Sequence, residues 1–461
     1  MLSKEKKLTF HTKFFYGIGE LSGALPSNIL IFFFLFFLTN VAGLSPGLAG
    51  LMMLVGKVWD GINDPVIGWL SDHTCSRWGR RYPWMLFGSV PLGITSILLW
   101  VVPPTTNQIL LFVYYGVVSF LFYVSFTAVL LPYGTLSAEL TQEYDERTSL
   151  ISFRSAFSIG GSIFSLVLAQ IIFTKIYNIK QQYLLIGLIC GLLAMLMIYI
   201  SVWGTYHRYH QVQQKHLKSN KTSPLSFKKE LYLAFNNRPF LYVMGIYLCS
   251  WLGIQIIAST LPFFVINCMK LQETHVTQMA ITVQSTALFV LILLNFMSKK
   301  IEKKYIYLYG IQSIIIAGLG LFFLQSGQVV LLYILAFMAG IGIATAYIVP
   351  WSMLPDVIDL DELNTGERRE GIFFGVVVQL QKIGVALALF FVGQILDWSG
   401  YIPSGEGVQT ESALWAIRII IGPISTGILL IGLILAYFYP ITRQVHQEIL
   451  LKLSSHYTHF K

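Results

Sequence analysis

Charged residues are scarce in this chain of 461 residues. Only 11% of them are Asp, Glu, Lys or Arg, whereas 55% are hydrophobic and 15% are aromatic. Soluble globular domains carry about 25% charged residues, so the composition excludes an ordinary soluble protein and a disordered one. The chain is therefore expected to lie in a lipid bilayer.

Motifs for metal, redox or phosphate chemistry are also missing. The four cysteines have no metal or redox spacing, and His207 and His210, three residues apart, lie in a basic stretch. No glycine-rich phosphate loop is followed by Lys-Ser or Lys-Thr. We therefore expect no enzymatic activity, no cofactor, no structural metal and no coupling to ATP.

Twelve apolar segments, each near the roughly 20 residues that cross a bilayer, are separated by charged or turn-rich breaks. They predict an all-α membrane protein whose first span is too long to be a signal peptide. The approximate spans are 14–41, 46–70, 84–103, 109–134, 151–174, 183–206, 239–266, 276–297, 305–324, 329–354, 371–396 and 414–439.

Basic residues are concentrated on one side of this predicted topology. The two tails and the even-numbered loops hold 25 of the 31 Lys and Arg residues. Because basic loops resist translocation, both termini are expected in the cytoplasm, and the net charge of +9 reflects topology rather than a nucleic-acid partner. Short tails without targeting signals favour a bacterial inner membrane.

The longest internal polar stretch divides the spans six and six. A motif recurs on its two sides: Pro132-Tyr-x-x-Leu136 precedes an acidic loop, and so does Pro350-Trp-x-x-Leu354. Such a repeat is typical of transporters built from two six-helix halves. The predicted regions are an N-terminal bundle (1–206), a basic cytoplasmic linker (207–238), a C-terminal bundle (239–439) and a cytoplasmic tail (440–461).

Few ionisable side chains lie inside the spans, and each is a functional-site hypothesis. Away from the ends of the spans, they are Glu20, Asp60, Asp64, Lys57 and Lys382. Asp60 and Asp64 are four residues apart, so one helical face carries both carboxylates within reach of a shared ion. A proton or a small hard cation such as Na⁺ would relieve their repulsion, and Lys57 could partly neutralise the pair. The alternative is an ion-paired polar seam without a transported ion.

A long motif in the second span identifies a family. Lys57-Val-Trp-Asp-Gly-Ile-Asn-Asp-Pro-Val-Ile-Gly68, followed by Ser76-Arg-Trp-Gly-Arg-Arg-Tyr-Pro-Trp84, closely resembles the signature of the glycoside-pentoside-hexuronide:cation symporters. This is the melibiose-carrier branch of the major facilitator superfamily, and it also includes vertebrate sodium-dependent lysophosphatidylcholine carriers. The resemblance extends over essentially the whole chain.

The resemblance implies the major facilitator fold, with 12 transmembrane helices in two six-helix bundles. It also implies a secondary active symporter that moves a small organic solute with Na⁺ or H⁺ by alternating access. A sugar or glycoside is the expected solute. The alternatives are a sodium-coupled lysophospholipid transporter and a non-transporting membrane sensor of the same fold. The expected partners are the solute, the cation and the bilayer, and we expect a monomer.

Individual residues take roles from the resemblance. Lys57 and Tyr347 are included among the substrate-binding or coupling residues because of the positive charge of Lys57 and the aromatic surface of Tyr347. Cation-binding roles are implied for Asp60, Asp64, Asn63 and Thr127. Substrate-binding or coupling roles are expected for Glu20, Lys57, Arg154, Tyr347 and Lys382.

A cytoplasmic ion-pair gate is expected where the loop after the second span resembles the glycine-aspartate-basic signature of the superfamily. Solvated loop charge is an equal alternative for the two acidic segments, Glu139 to Arg147 and Asp356 to Arg369. The proposed gate residues are Asp72, Arg77, Arg80, Arg81, Glu139, Arg147, Asp356 and Asp359.

The chain departs from the melibiose carriers where those proteins hold their sugar. Leu130 and Gly134 replace an aspartate and a tryptophan that flank the proline of the fourth helix, and Gly23-Ala24 replaces a Lys-Asp pair. Most of the galactoside apparatus is therefore missing. A different glycoside, or a partly apolar solute such as a lysolipid, becomes reasonable.

Overall fold

The computed structural model describes residues 8–141, 143–213, 235–297, 301–366, 370–403 and 409–459. Regular structure in these ranges is helical throughout, which agrees with the predicted all-α class. The first half contains α1 (Phe10–Ile18), α2 (Leu21–Phe36), α3 (Pro46–His73), α4 (Tyr82–Leu98), α5 (Gln108–Leu140), α6 (Tyr144–Lys175) and α7 (Ile179–Gln213). The second half contains α8 (Arg238–Phe263), α9 (Glu273–Met297), α10 (Lys303–Phe323), α11 (Val329–Thr365), α12 (Glu370–Trp398), α13 (Glu411–Ile419), α14 (Ser425–Tyr437) and α15 (Arg443–His459).

Each of the twelve predicted spans coincides with a helical segment of the described chain. Ten segments are long and apolar enough to cross a membrane by themselves. The other two are α3, which carries Lys57, Asp60 and Asp64, and α4, which is only 17 residues long. The additional helix α15 lies in the predicted tail.

The predicted acidic loops are largely helical among the described residues, so their assignment to loops was wrong for most positions. Thr141 and Glu143 form an extended break between α5 and α6, and Gly366 ends α11 in a left-handed conformation. Helix α5 continues to Leu140, and α11 continues to Thr365. Glu139 and Asp356 are paired with basic side chains, which allows these charged turns to remain helical beyond the apolar span. Residues 367–369 of the second acidic segment lie outside the described residues.

The described chain forms two compact units. The first contains α1 to α7 together with Glu273–Gln278 and Gly393–Gln409, and the second contains the remaining described residues from α8 onward. The predicted linker falls mainly on residues 214–234, which lie outside the described ranges. The predicted domain limits therefore stay predictions.

Small residues allow close helix crossings inside each unit. A Cβ atom added at Gly191 of α7 would lie 2.7 Å from the carbonyl oxygen of Gly93 in α4, and one at Gly342 of α11 would lie 2.8 Å from the carbonyl oxygen of Gly310 in α10. Close backbone approach at small residues is characteristic of membrane helices, which gain little from hydrophobic burial against lipid. These glycines thus hold neighbouring spans together by packing.

The two units share a distinctive helix ending. Helices α2 and α8 both pass into a π-helical turn, at Phe37–Val41 and Phe264–Cys268, and the chain then turns through a left-handed residue, Gly43 with φ 78° and Lys270 with φ 57°. Every matching position is 227 residues apart. The hydrogen bonds repeat as well: the Leu44 amide donates to the Leu38 carbonyl at 2.8 Å, and the Leu271 amide donates to the Val265 carbonyl at 3.0 Å.

Candidate functional site

Two carboxylates of α3 converge on one hydroxyl of α5. The Thr127 Oγ1 lies 3.1 Å from Asp64 Oδ1 and 3.4 Å from Asp60 Oδ1. Asp60 and Thr127 are buried, whereas Asp64 is half-buried. The four-residue spacing on a helix that continues through Pro65 places both carboxylates on the face that packs against α5.

Asn63 completes the set of oxygen-bearing side chains predicted to bind the cation. It is buried, and its Nδ2 donates to the Tyr123 carbonyl of α5 at 3.2 Å. This hydrogen bond holds the amide between the two helices. The structure therefore brings Asp60, Asn63, Asp64 and Thr127 together, and this set of hard oxygen donors fits Na⁺.

A resident positive charge lies beside the carboxylates. Lys57 Nζ is 3.7 Å from Asp60 Oδ2 and 4.7 Å from the centroid of the Tyr123 ring. Gly56 leaves room for that ring, since a Cβ there would lie 2.9 Å from it. Tyr123 was not predicted as a site residue. Its position one helical turn before Thr127 on α5 is the signal that would have identified it.

The predicted Glu20 and Arg154 form an ion pair within the first unit. Glu20 lies at the break between α1 and α2, and the Arg154 Nε of α6 donates to its Oε2 at 2.5 Å. The Arg154 guanidinium also lies 5.4 Å from the centroid of the Tyr133 ring. Tyr133 in turn donates to the Tyr16 carbonyl at 2.7 Å, so the pair has a rigid aromatic support.

Tyr347 belongs to an aromatic cluster of the second unit. Its ring centroid lies 5.0 Å from that of Trp251 on α8. The neighbouring Tyr247 hydroxyl donates to Gln381 Oε1 at 2.7 Å, directly before the predicted Lys382 on α12. Trp251 and Tyr247 were not predicted, because sequence alone does not show which face of α8 packs against α11.

Four of the predicted gate residues form one ion-pair network in the first unit. The buried Arg81 contacts Asp72 Oδ1 through Nη2 at 2.5 Å and Glu139 Oε1 through Nε at 3.2 Å. Arg80 reaches the same Glu139 oxygen at 2.7 Å. The exposed Arg77 instead stacks on Trp78, and Arg147 is also exposed.

The other two predicted gate residues lie on α11 in the second unit. Lys303 Nζ contacts Asp356 Oδ2 at 2.7 Å, and His446 Nε2 of α15 lies 3.0 Å from Asp359 Oδ2 and 3.5 Å from Asp356 Oδ1. Lys303 and His446 were not predicted as partners. The adjacent Tyr439 is buried, and this burial together with the Asp356 carboxylate raises the pKa of its hydroxyl well above the usual range.

The model of the MFS/sugar transport protein family matches residues 15–443 of the chain. The chain belongs to this family. It is 42% identical to the "Uncharacterized symporter sll1374" of Synechocystis sp., over 96% of each chain. It is 26% identical to the "Sodium-dependent lysophosphatidylcholine symporter 1" of Gallus gallus, over 96% of this chain and 89% of that protein.

Solved structures show the same fold at lower identity. The crystal structure of a D-xylose-proton symporter matches with a TM-score of 0.65 and 16% identity, covering 93% of this chain and 97% of that one. The predicted family and the major facilitator fold are thus confirmed. This family member is a multi-pass integral membrane transporter of the symporter type, and not an enzyme.

Proposed function

We propose that this transporter couples the movement of a small organic solute to a monovalent cation, with Na⁺ as the first choice and H⁺ as the second. The convergence of Asp60 and Asp64 on the Thr127 hydroxyl carries the proposal. Oxygen donors suit Na⁺, and a proton would relieve the same repulsion between carboxylates.

Coupling requires each ligand to strengthen the binding of the other, typically by about 1–3 kcal/mol. A cation bound by Asp60 and Asp64 would also contact Thr127, and would thereby hold α3 against α5. Arg154 and Glu20 belong to the same unit, so an ordered α3–α5 pair can organise the solute contacts. Lys382 and Tyr347, which belong to the second unit, stay predicted substrate-binding or coupling residues.

A sugar or glycoside is the first proposed solute class. The ion pair of Glu20 and Arg154 offers charged donors and acceptors for hydroxyl groups. Trp251 and Tyr347 offer aromatic faces that fit the apolar side of a sugar ring. This assignment is also consistent with the description of the family as sugar transport proteins.

A lysophospholipid is the second proposed solute class, and the residues near Arg154 favour it. A Cβ added at Gly23 would lie 2.4 Å from Leu130 Cδ1, so the leucine fills the space that the glycine leaves. A Cβ at Gly134 would lie 3.4 Å from Arg154 Nη1. An apolar wall beside a charged pair suits an amphiphile, and the Gallus gallus relative is named for such a solute.

Uptake into proteoliposomes tests the proposal. The wild type, Asp64→Asn and the control Glu411→Gln, which alters an exposed carboxylate of α13, would receive a mixed pool of glycosides and lysophospholipids with and without an inward Na⁺ gradient. In the wild type and the control, we expect one solute to accumulate only when the gradient is present. Asp64→Asn should not show this gradient-dependent accumulation. In a parallel series of uptake experiments, an inward proton gradient replaces the Na⁺ gradient. If no solute moves in either series, the sensor alternative is favoured.

A further inference from the structure

A histidine of the tail helix α15 contacts two carboxylates of α11. His446 Nε2 lies 3.0 Å from Asp359 Oδ2 and 3.5 Å from Asp356 Oδ1. The side chains of Asp356 and Asp359 are only 9% and 13% exposed, and that of His446 is 24% exposed. One imidazole nitrogen therefore contacts two largely buried carboxylates, in a cluster that contains none of the predicted cation-binding or solute-binding residues.

Apolar packing places this histidine on the face of α15 that contacts α11. Ile449, three residues after His446, is buried in the hydrophobic core of the second unit, and Leu453 packs against the same core. Val445 and Leu450 are exposed, so the docked face of the helix is narrow. Most of the stability of a helix of 17 residues comes from its packing. We therefore expect the amides of α15 to exchange with solvent when the helix leaves the core.

The titratable and charged groups that the structure describes around His446 come from α10, α11, α15 and the turn before α15. They are Lys303, Asp356, Asp359, Tyr439, Arg443 and Glu448.

A proton on the imidazole adds a positive charge beside carboxylates. Lys303 Nζ contacts the two oxygens of Asp356 at 2.7 and 2.8 Å, so His446 lies at the edge of an existing ion pair and next to Asp359. Arg443 is exposed, and solvent screens its repulsion of the imidazolium. The added charge attracts Asp359 whatever other groups contact that carboxylate.

We propose that α15 is a proton-dependent clamp on the predicted cytoplasmic end of α11, in which protonated His446 holds the tail helix against Asp356 and Asp359. Imidazole side chains change their charge between about pH 5 and 8. The charged ring adds Coulomb attraction to its hydrogen bond, whereas the neutral ring does not. Attachment of α15 therefore weakens as the pH rises through this range. This inference goes beyond the proposed function, because it depends on neither the solute nor the coupling cation.

Amide hydrogen exchange in the full-length protein tests the clamp. The protection of residues 447–453 would be measured at about pH 6 and about pH 8, after division by the intrinsic exchange rate at each pH. The proteins are the wild type, His446→Gln and the control His73→Gln, which alters an exposed histidine of the other unit. From the lower to the higher pH, we expect protection to fall about fivefold in the wild type and the control. In His446→Gln it should be low and the same at both.

Two further measurements distinguish the clamp from general unfolding. The amides of α10, which belongs to the same unit, should keep their protection in every variant at both pH values. Asp359→Asn keeps the histidine but removes the charge of its nearer carboxylate, so the fall in α15 protection should be smaller than in the wild type.

Three results would overturn the clamp. The first is equal protection of α15 in the wild type at the two pH values. The second is a fall in His446→Gln that is as large as in the wild type. The third is an undiminished fall in Asp359→Asn. If His446→Gln also loses protection in α10, the wild type and Asp359→Asn decide the question.

Discussion

The Thr127 hydroxyl has one hydrogen atom and two carboxylate neighbours. It can donate to Asp64 at 3.1 Å or to Asp60 at 3.4 Å, but not to both at once. A cation that binds the two carboxylates would also be coordinated by a lone pair of the Thr127 hydroxyl oxygen. A single hydroxyl therefore links the charge state of α3 to the position of α5.

The ion pair of Glu20 and Arg154 is predicted to contribute to stability as a unit. Glu20→Gln and Arg154→Gln should each lower the stability in detergent, because each leaves a poorly solvated partner. The double variant should lose less than the sum of the two, with a coupling of about 1–2 kcal/mol. This estimate is modest because 36% of the Arg154 side chain is exposed.

Thermal unfolding of the four proteins measures this coupling. Glu411→Gln serves as the control, since it removes an exposed carboxylate of α13 and should change little. If the stability losses of the two single variants add up to the loss of the double variant, the ion pair with its 2.5 Å contact contributes no coupling energy.

Sequence reasoning predicted that Asp60 and Asp64 lie together, but it did not identify the residues that support them. The proximity of Asp60 and Asp64 was predictable because residues four positions apart lie on the same face of a helix. Lys303 and His446 were not identified as partners of the α11 carboxylates, because their contacts depend on how α10 and α15 pack against α11. Tyr123 and Trp251 were missed for the same reason: both look like ordinary apolar residues of a span.

Helix limits were also only partly predictable from the sequence. Hydropathy locates the apolar part of each span, and all twelve segments follow it. It fails at the ends, because α5 and α11 continue through charged turns whose carboxylates are paired with Arg80, Arg81 and Lys303. Such pairing is a property of neighbouring helices and cannot be read from a local average.

The left-handed residue after the π-helical turn of α8 is predicted to carry a conformational cost. Lys270 adopts φ 57°, where its partner in the other unit is Gly43. Lys270→Gly should raise the free energy of unfolding by about 0.5–1 kcal/mol, because glycine adopts this conformation without steric strain. Gly43→Lys should lower it by a similar amount, since no atom lies within 4 Å of an added Cβ.

Thermal unfolding in detergent compares these variants. Lys180→Gly is the matched control, because Lys180 lies in the ordinary right-handed helix α7 and glycine should destabilise it. A loss of stability in Lys270→Gly would mean that contacts of the lysine outweigh the backbone strain.

The orientation of the whole molecule in the membrane is predicted from its basic loops and can be tested with its own cysteines. Cys75 is exposed after α3, whereas Cys190 and Cys268 are buried. A membrane-impermeant maleimide should label Cys75 in inside-out vesicles and not in right-side-out vesicles, because the basic loop that contains it is expected in the cytoplasm.

A cysteine on the opposite side provides the control. Tyr177 is fully exposed between α6 and α7, so Tyr177→Cys in a Cys75→Ser background should be labelled only in right-side-out vesicles. The reverse pattern for both sites would place the termini outside the cytoplasm.

The shared helix ending of α2 and α8 also bears on the evolutionary origin of the two units. A π-helical turn, two matching hydrogen bonds and a left-handed residue recur 227 positions apart, although Gly43 and Lys270 are different amino acids. Duplication of an ancestral gene for six helices, followed by independent substitution in each copy, leaves this kind of trace. The backbone of the turn is thus more alike in the two units than the side chains that form it.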